Sequence, residues 1–201
     1  MSRQILIALK GEAQHGKDSA AKALKDLGFE QFAFADALKE FMLRLDPHVQ
    51  CTFGAVNDFD MLTTKRLSYW VDKLGWEGAK KIPEIRRLLQ VCGTECVRQI
   101  ISDSAWVDVV GRKIEGKYKV VISDLRFGNE DSWVHARGGY VWEIFRPNFD
   151  NGLDAKNKGH ASETQMTKII PDLKIINDGT IQQLADRVTD GYNQLVRQLA
   201  R

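Results

Sequence analysis

The sequence has few cysteines, little net charge and no long apolar run, and each shortage excludes a class of protein. Three cysteines in 201 residues are an odd, sparse set, unlike a disulfide framework, which favours a reducing compartment. No stretch approaches the roughly 20 apolar residues of a membrane span, and the apolar run after Arg3 is too short for a signal peptide. We therefore expect a cytoplasmic protein without membrane partners. A net charge of +2 argues against a protein that coats nucleic acid.

The most informative stretch runs from Gly11 to Ser19 and reads Gly-Glu-Ala-Gln-His-Gly-Lys-Asp-Ser. Its glycine spacing is that of a phosphate-binding P-loop, and it follows an apolar strand pattern and precedes helix-forming residues. Loop amides and a helix N-terminus attract an anion, and the lysine adds a mobile cation. A plain strand–turn–helix is the alternative. The expected ATP-binding residues are Gly11, Gln14, His15, Gly16, Lys17, Asp18, Ser19 and, far along the chain, Asn177.

The P-loop departs from the usual pattern directly after its lysine. That place normally carries a serine or threonine whose hydroxyl meets magnesium, but here it holds Asp18, with Ser19 next. We hypothesise that Asp18 orients a magnesium-bound water. A third candidate, Asp124, ends the apolar strand pattern that starts at Lys119, as the magnesium-holding aspartate of P-loop enzymes does. The expected metal site is therefore a Mg²⁺ site at Asp124, Asp18 and Ser19.

Five predicted strands alternate with helices, which indicates an α/β protein with a parallel sheet. They cover roughly residues 4–9, 29–34, 119–124, 140–145 and 173–177. Ligands bind such sheets beyond the carboxyl ends of the strands, where we expect Gly11, Asp36, Asp124, Arg146 and Asn177. Asp36 also suits the cap of the following helix, and both roles stay open.

Residues 47 to about 104 show helical patterns over 65–76 and 83–101 and a weak, loop-like pattern over 48–64. We interpret them as a helical insertion in a single domain with a core of 1–46 and 105–201. A closing helix is expected over 181–199, and a loop over about 146–163, rich in Asn, Asp, Gly and Lys, is a candidate lid. Surplus apolar helix faces in the insertion would suit a homodimer.

Several motifs in chain order resemble the phage-type deoxynucleoside monophosphate kinases of the P-loop kinase superfamily. The motifs are Gly16–Ser19, Phe34–Lys39, Arg86–Glu95, Trp106–Val107, Ser123–Glu130, Arg146–Pro147, His160–Glu163 and Asn177–Thr180. The sequence departs from the family at Gly128, where proline is common, and at Cys96, where a small residue is common. The resemblance implies a P-loop NTPase three-layer fold, with a five-stranded parallel sheet of order 2-3-1-4-5, a helical substrate-binding insertion and a lid.

The resemblance also implies a magnesium-dependent enzyme that moves the γ-phosphate of ATP to a deoxynucleoside 5′-monophosphate. Arginine grips phosphate oxygens in pairs, and Arg126 and Arg146 directly follow strand ends. The expected catalytic residues are Lys17, Arg126 and Arg146. The expected acceptor-binding residues are Asp36, Lys39, Arg86, Arg87, Gln90, Arg98 and Trp106. A solvated surface charge is the alternative for each arginine, a surface amide for Gln90 and a core indole for Trp106.

Two other functions stay open at this point. The Asn177–Thr180 block is also similar to dephospho-coenzyme A kinases, and such an enzyme would not use nucleoside monophosphates. A P-loop ATPase that binds nucleic acid would turn over ATP faster with DNA, in a salt-dependent way. The near-neutral charge argues against this second reading, so we expect ATP and a nucleotide as partners and no nucleic acid.

Overall fold

The computed structural model describes residues 4–56, 59–149 and 165–200. The chain divides into two compact units, the first made of Met1–Phe34 with Val107–Arg201 and the second of Ala35–Trp106. None of the helices in these described ranges is long and apolar enough to cross a membrane.

The first unit is built on five parallel strands. They are β1 (Ile5–Lys10), β2 (Glu30–Phe32), β5 (Lys119–Ile122), β6 (Tyr140–Phe145) and β7 (Leu173–Ile176). Their order across the sheet is β2-β5-β1-β6-β7. Counted without the hairpin strands of the second unit, this is the order 2-3-1-4-5, so the predicted fold class and strand order are confirmed. The labels differ only because two strands of the second unit, β3 (His48–Val56) and β4 (Phe59–Arg66), come between β2 and β5 in the chain.

Helices cover both faces of this sheet. They are α1 (Lys17–Asp26), α5 (Ala105–Lys113), α6 (Gly128–Ala136) and α7 (Ile181–Leu199). All six residues of β1 are buried, with Ile7 and Leu9 packed in one core and Leu6 and Ala8 in the other. Burial on both faces explains why the strand is a continuous apolar run. Helix α7 matches its predicted bounds, although its last apolar residue, Leu199, is 37% exposed.

The second unit combines helices with a hairpin. Its elements are α2 (Phe34–Leu45), which begins at the last residue of the first unit, β3 (His48–Val56), β4 (Phe59–Arg66), α3 (Leu67–Ala79) and α4 (Pro83–Gln90). Its core contains Met42, Leu67, Trp70 and Ile85, all nearly inaccessible to solvent. These large side chains give the second unit its own hydrophobic centre.

The prediction of a loop over residues 48–64, with a helix from Lys65, is wrong, because residues 48–56 and 59–66 pair as the antiparallel strands β3 and β4. The sequence carried a signal for the first strand, because Val49, Cys51 and Phe53 alternate with polar residues at the period of a strand. The second strand does not continue this alternation, because it ends in the four polar residues Thr-Thr-Lys-Arg. Helix α3 accordingly starts at Leu67, two residues later than expected.

The helix predicted over residues 83–101 is present, but it changes type. After α4 ends, Val91–Ile101 continues as a π-helix. Within it, the Gly93 carbonyl accepts a hydrogen bond from Trp106 Nε1 at 3.0 Å. Helical periodicity alone does not reveal this change.

Candidate active site

The two glycines of the P-loop occupy conformations that other residues rarely adopt. Gly11 has φ 146° and Gly16 has φ 100°. A Cβ at Gly11 would collide with the carbonyl oxygen of Ile144, and one at Gly16 would lie 2.6 Å from Asn177 Nδ2. The loop therefore packs directly against the ends of β6 and β7, and helix α1 starts immediately after Gly16. This is the strand–loop–helix arrangement that presents backbone N–H groups to an anion.

Lys17 folds back over this loop. Its Nζ donates hydrogen bonds to the carbonyl oxygens of Gly11 and Glu12, each at 2.7 Å. The ammonium thus lies against the first residues of the loop. Asp18, in the first turn of α1, is exposed, and Ser19 is half-buried.

Asp124 follows β5 at the same edge of the sheet, as predicted. On either side of it, the Leu125 amide donates to the Leu9 carbonyl at 3.1 Å and the Ser123 amide donates to the Phe32 carbonyl at 3.0 Å. Asp124 therefore lies between the ends of β1 and β2, next to the strand that carries the P-loop. Its Oδ1 accepts a hydrogen bond from the Phe34 amide at 2.8 Å, at the N-terminus of α2.

Two oxygen donors at this edge, the carboxylate of Asp124 and the hydroxyl of Ser19, are of the type that magnesium prefers. Within the described ranges, no group of three or more His, Cys, Asp or Glu side chains could hold a metal by itself. Magnesium is commonly held by one or two carboxylates together with substrate phosphates and waters, rather than by an all-protein cage. The Asp124 carboxylate beside the P-loop, with the Ser19 hydroxyl, suits this arrangement.

The ends of β6 and β7 bring Arg146 and Asn177 to the P-loop. The Arg146 amide donates to His15 Nδ1 at 3.3 Å, and Asn177 Nδ2 donates to the His15 carbonyl at 2.9 Å. The Arg146 guanidinium is exposed and stacks over Phe149, with Cζ 4.4 Å from the ring centroid. Both strand-end predictions are thus correct in location.

Glu130 ends one of the motifs named above, but the sequence reasoning gave it no role. It is only 2% exposed, and its Oε2 accepts from the amides of Arg126 at 2.8 Å and Phe127 at 3.1 Å. The carboxylate fixes the backbone of the turn that carries Arg126. Its position three residues after the helix N-cap is that of a capping-box glutamate, which is the signal that would have found it.

Asp36 does not lie at a strand end, contrary to the prediction. It lies in the first turn of α2, is exposed, and accepts a hydrogen bond from Lys39 Nζ at 2.9 Å. The helix begins at Phe34, so Asp36 belongs to its first turn and not to β2, which ends at Phe32. A carboxylate in the first turn of a helix stabilises the helix dipole.

The neighbouring arginines of α4 differ in their pairing. Arg87 Nε and Nη2 donate to the two carboxylate oxygens of Glu84, both at 2.8 Å. These hydrogen bonds hold the pKa of Glu84 below its usual value and the pKa of Arg87 above its usual value. The Arg86 guanidinium is exposed and makes no ion pair or hydrogen bond with any part of the chain that the structure describes. Arg86 is therefore the stronger anion-binding candidate.

The other predicted acceptor residues of the second unit are less open to ligands. Gln90 is half-buried at the end of α4. Arg98 is 9% exposed, and its Nη1 lies 3.6 Å from Asp103 Oδ1. Trp106 is 7% exposed and donates its N–H to Gly93, which supports the core alternative for this residue. Residues 150–164, with most of the candidate lid and its His160–Glu163 motif, lie outside the described residues.

The comparisons with known proteins agree with this geometry. The family model of deoxynucleotide monophosphate kinases matches residues 56–188, about two thirds of the chain. A protein of Acanthamoeba polyphaga mimivirus, provisionally named a deoxynucleotide monophosphate kinase, is 28% identical over 199 residues, which cover 92% of this chain and 94% of the relative. The match thus extends over nearly the full length of both chains.

A solved structure shares the fold at low sequence identity. A Thermus thermophilus protein called TT1252 is 11% identical with a TM-score of 0.51, over 98% of this chain and 99% of its own. An Aquifex aeolicus shikimate kinase gives a TM-score of 0.48 at 11% identity, over 96% and 98% of the two chains. Together with the P-loop at the sheet edge, the family match identifies the chain as a nucleotide kinase, and it belongs to the deoxynucleotide monophosphate kinase family.

Proposed function

We propose that this protein transfers the γ-phosphate of ATP to a deoxynucleoside 5′-monophosphate, producing ADP and a deoxynucleoside diphosphate. The observation that carries the proposal is the P-loop of Gly11–Ser19, with its lysine closed over it and Asp124 one strand away. The family match and the name of the mimivirus relative support a deoxynucleotide as the acceptor.

The donor side of the reaction follows from the loop geometry. Lys17 exchanges its two carbonyl partners for the outer phosphate oxygens of ATP, while the loop amides and the N-terminus of α1 bind the remaining charge. Asp124 and Ser19 would hold magnesium, with Asp18 orienting one of its waters; when bound, the ion neutralises charge on the β- and γ-phosphates. Arg126 and Arg146 neutralise the charge of the group in transfer. The acceptor phosphate is already ionised, so no strong general base is required.

The acceptor side uses the second unit. Arg86 grips the acceptor phosphate, because its fork of donors is not committed to a carboxylate in the described structure. Gln90 lies four residues further along the same helix and therefore on the same face, where its amide reads the base. Lys39, Asp36, Arg87 and Arg98 are further acceptor candidates, and their exposure and pairing rank them after Arg86.

The experiment is a measurement of ADP formation from ATP and magnesium. Each deoxynucleoside monophosphate is offered in turn, beside dephospho-coenzyme A and single-stranded DNA. We expect turnover with one or more deoxynucleotides, lost in Lys17→Ala and kept in the matched control Lys22→Ala, an exposed lysine of α1. Turnover with dephospho-coenzyme A alone, or ATP hydrolysis stimulated by DNA, would contradict the proposal.

A further inference from the structure

The imidazole of His15 is buried inside the P-loop region rather than exposed to ligands. The residue is 3% exposed, and its ring packs edge-on against Phe145 and Phe149, with centroids 5.8 Å and 6.2 Å away. A P-loop residue needs only its backbone amide to bind phosphate. The burial of the side chain therefore points to a second role.

The hydrogen bonds of His15 define which atoms of the ring are used. Nδ1 accepts from the Arg146 amide at 3.3 Å, so it carries no proton in this arrangement and the proton lies on Nε2. Among the described residues Nε2 has no hydrogen-bond partner, and Glu12 Oε2 is 3.9 Å away. The contact that ties the ring to the rest of the site is therefore the one at Nδ1.

Two contacts connect this ring to the Arg146 guanidinium. The first is the hydrogen bond from the Arg146 amide, which fixes the backbone just after β6. The second runs through Phe149, whose ring touches the imidazole and also lies under the guanidinium. The buried His15 side chain therefore contacts the backbone of Arg146 directly and its guanidinium through Phe149.

We propose that His15 is a positioning residue that sets the Arg146 guanidinium relative to the phosphates on the P-loop. This inference rests on the proposed function, in which Arg146 neutralises charge during transfer. A misplacement of a charged group by about 1 Å can cost a hundredfold in rate, so an anchor of this kind affects the chemical step more than nucleotide binding. The His15 carbonyl, which binds Asn177, does not depend on the side chain and continues to hold β7 in variants.

A set of three substitutions separates the two ring nitrogens. His15→Asn keeps an acceptor near the place of Nδ1, His15→Gln moves the amide towards the place of Nε2, and His15→Phe keeps the ring without an acceptor. We expect kcat to fall about tenfold in the Phe and Gln variants and to be largely rescued in the Asn variant, with KM for ATP within about twofold of wild type. Equal losses in all three variants would overturn the inference.

A double-mutant cycle with Arg146→Ala tests whether His15 acts through the arginine. That substitution removes the guanidinium but keeps the backbone amide that donates to the ring. If the inference is right, adding His15→Phe to Arg146→Ala changes kcat less than about twofold. A further tenfold loss would show that His15 supports the loop independently of Arg146 and would overturn the inference.

A readout without catalysis separates this inference from the proposed function. The amide resonance of Arg146 in a ¹H–¹⁵N spectrum reports its hydrogen bond to Nδ1. We expect a shift in His15→Phe that is absent in His15→Asn. A wild-type protein that phosphorylates no deoxynucleotide would end the proposed function, whereas an Arg146 amide unchanged in all variants would end the positioning role of His15.

Discussion

The two compact units position their candidate ligand-binding residues in different ways. In the first unit the candidates follow strand ends, and backbone hydrogen bonds place them: Asp124 is flanked by two inter-strand bonds and the Arg146 amide is bonded to the P-loop. In the second unit the candidates lie on helices. There, the ability of Arg86 and Arg87 to bind an anion depends on whether a neighbouring carboxylate neutralises them. The register of the sheet therefore determines where the binding residues of the first unit lie. A charged residue on a helix face can bind a ligand only when no neighbouring residue of opposite charge pairs with it.

Asp124→Asn should produce the largest loss and would show how much the strand-end site depends on one charge. The amide oxygen still accepts from Phe34, so the cap of α2 persists and stability changes by less than about 1 kcal/mol. The lost carboxylate charge should lower kcat/KM about a hundredfold and raise the magnesium concentration needed for half-maximal rate. Steady-state kinetics at varied magnesium measure both quantities.

Asp26→Asn is the matched control for this substitution, because Asp26 is an exposed carboxylate at the end of α1. It should leave both kinetic quantities unchanged. Wild-type activity of Asp124→Asn at low magnesium would mean that the strand-end carboxylate is not part of the site.

Arg86→Ala and Arg87→Ala test the pairing rule in the second unit. Arg87 and Glu84 together carry no net charge, so they attract a phosphate less than Arg86 does. Arg86→Ala should raise KM for the deoxynucleotide about tenfold, and Arg87→Ala should raise it less than about twofold. The opposite order would mean that the acceptor displaces Glu84, and that static pairing does not predict which arginine binds.

The sequence alone predicted most of the first unit, for physical reasons that are visible in the structure. Parallel strands buried on both faces are continuous apolar runs, so β1, β5 and β6 were evident. Residues directly after such strands must meet at one edge, which located Asp124 and Arg146. The buried contacts of His15 were not predictable, because they join residues more than a hundred positions apart.

The second unit was predicted less well because its elements carry mixed signals. The β3–β4 hairpin alternates polar and apolar residues only in its first strand, so it was interpreted as a loop. The π-helix has the same residue types as an α-helix, so the sequence does not distinguish the two. The pairing of Arg87 with Glu84 was readable in principle, since the two are three positions apart on a helix.

Trp106→Phe tests whether Trp106, which was predicted to bind the acceptor, is instead part of the core of the second unit. The substitution removes the N–H donor and leaves the Gly93 carbonyl with one partner fewer. We expect the free energy of unfolding to fall by about 1–3 kcal/mol, with KM for the deoxynucleotide unchanged within about twofold. Urea unfolding and acceptor kinetics on the same preparation distinguish a core role of Trp106 from an acceptor-binding role. A raised KM at unchanged stability would assign the indole to the acceptor.

The smallest expected effect is on the pH dependence of stability and comes from His135, which lies with its partners in the first unit. Burial alone would lower the pKa of His135, but its hydrogen bond to Asp172 and the charges of Asp172 and Asp131 outweigh burial and raise it. The folded state then binds the proton more tightly than the unfolded chain. The resulting stabilisation is fully present below the ordinary pKa of histidine and is lost as pH rises through the raised value. The side chain is 40% exposed, and solvent screening limits the effect to about 0.5 kcal/mol.

His135→Gln should remove this pH-dependent part of the stability, and Asp172→Asn should remove the same part, because each takes one charge from the pair. The quantity to compare is the difference in unfolding free energy between variant and wild type across the pH range, since other groups contribute equally to both. The variants should be less stable than wild type at the acidic end and should approach it at the alkaline end. Because His135 links α6 to the chain just before β7, acceptor KM should stay constant throughout. A change in KM would mean that the charge state of the first unit reaches the acceptor, and that the two units do not hold their ligands independently.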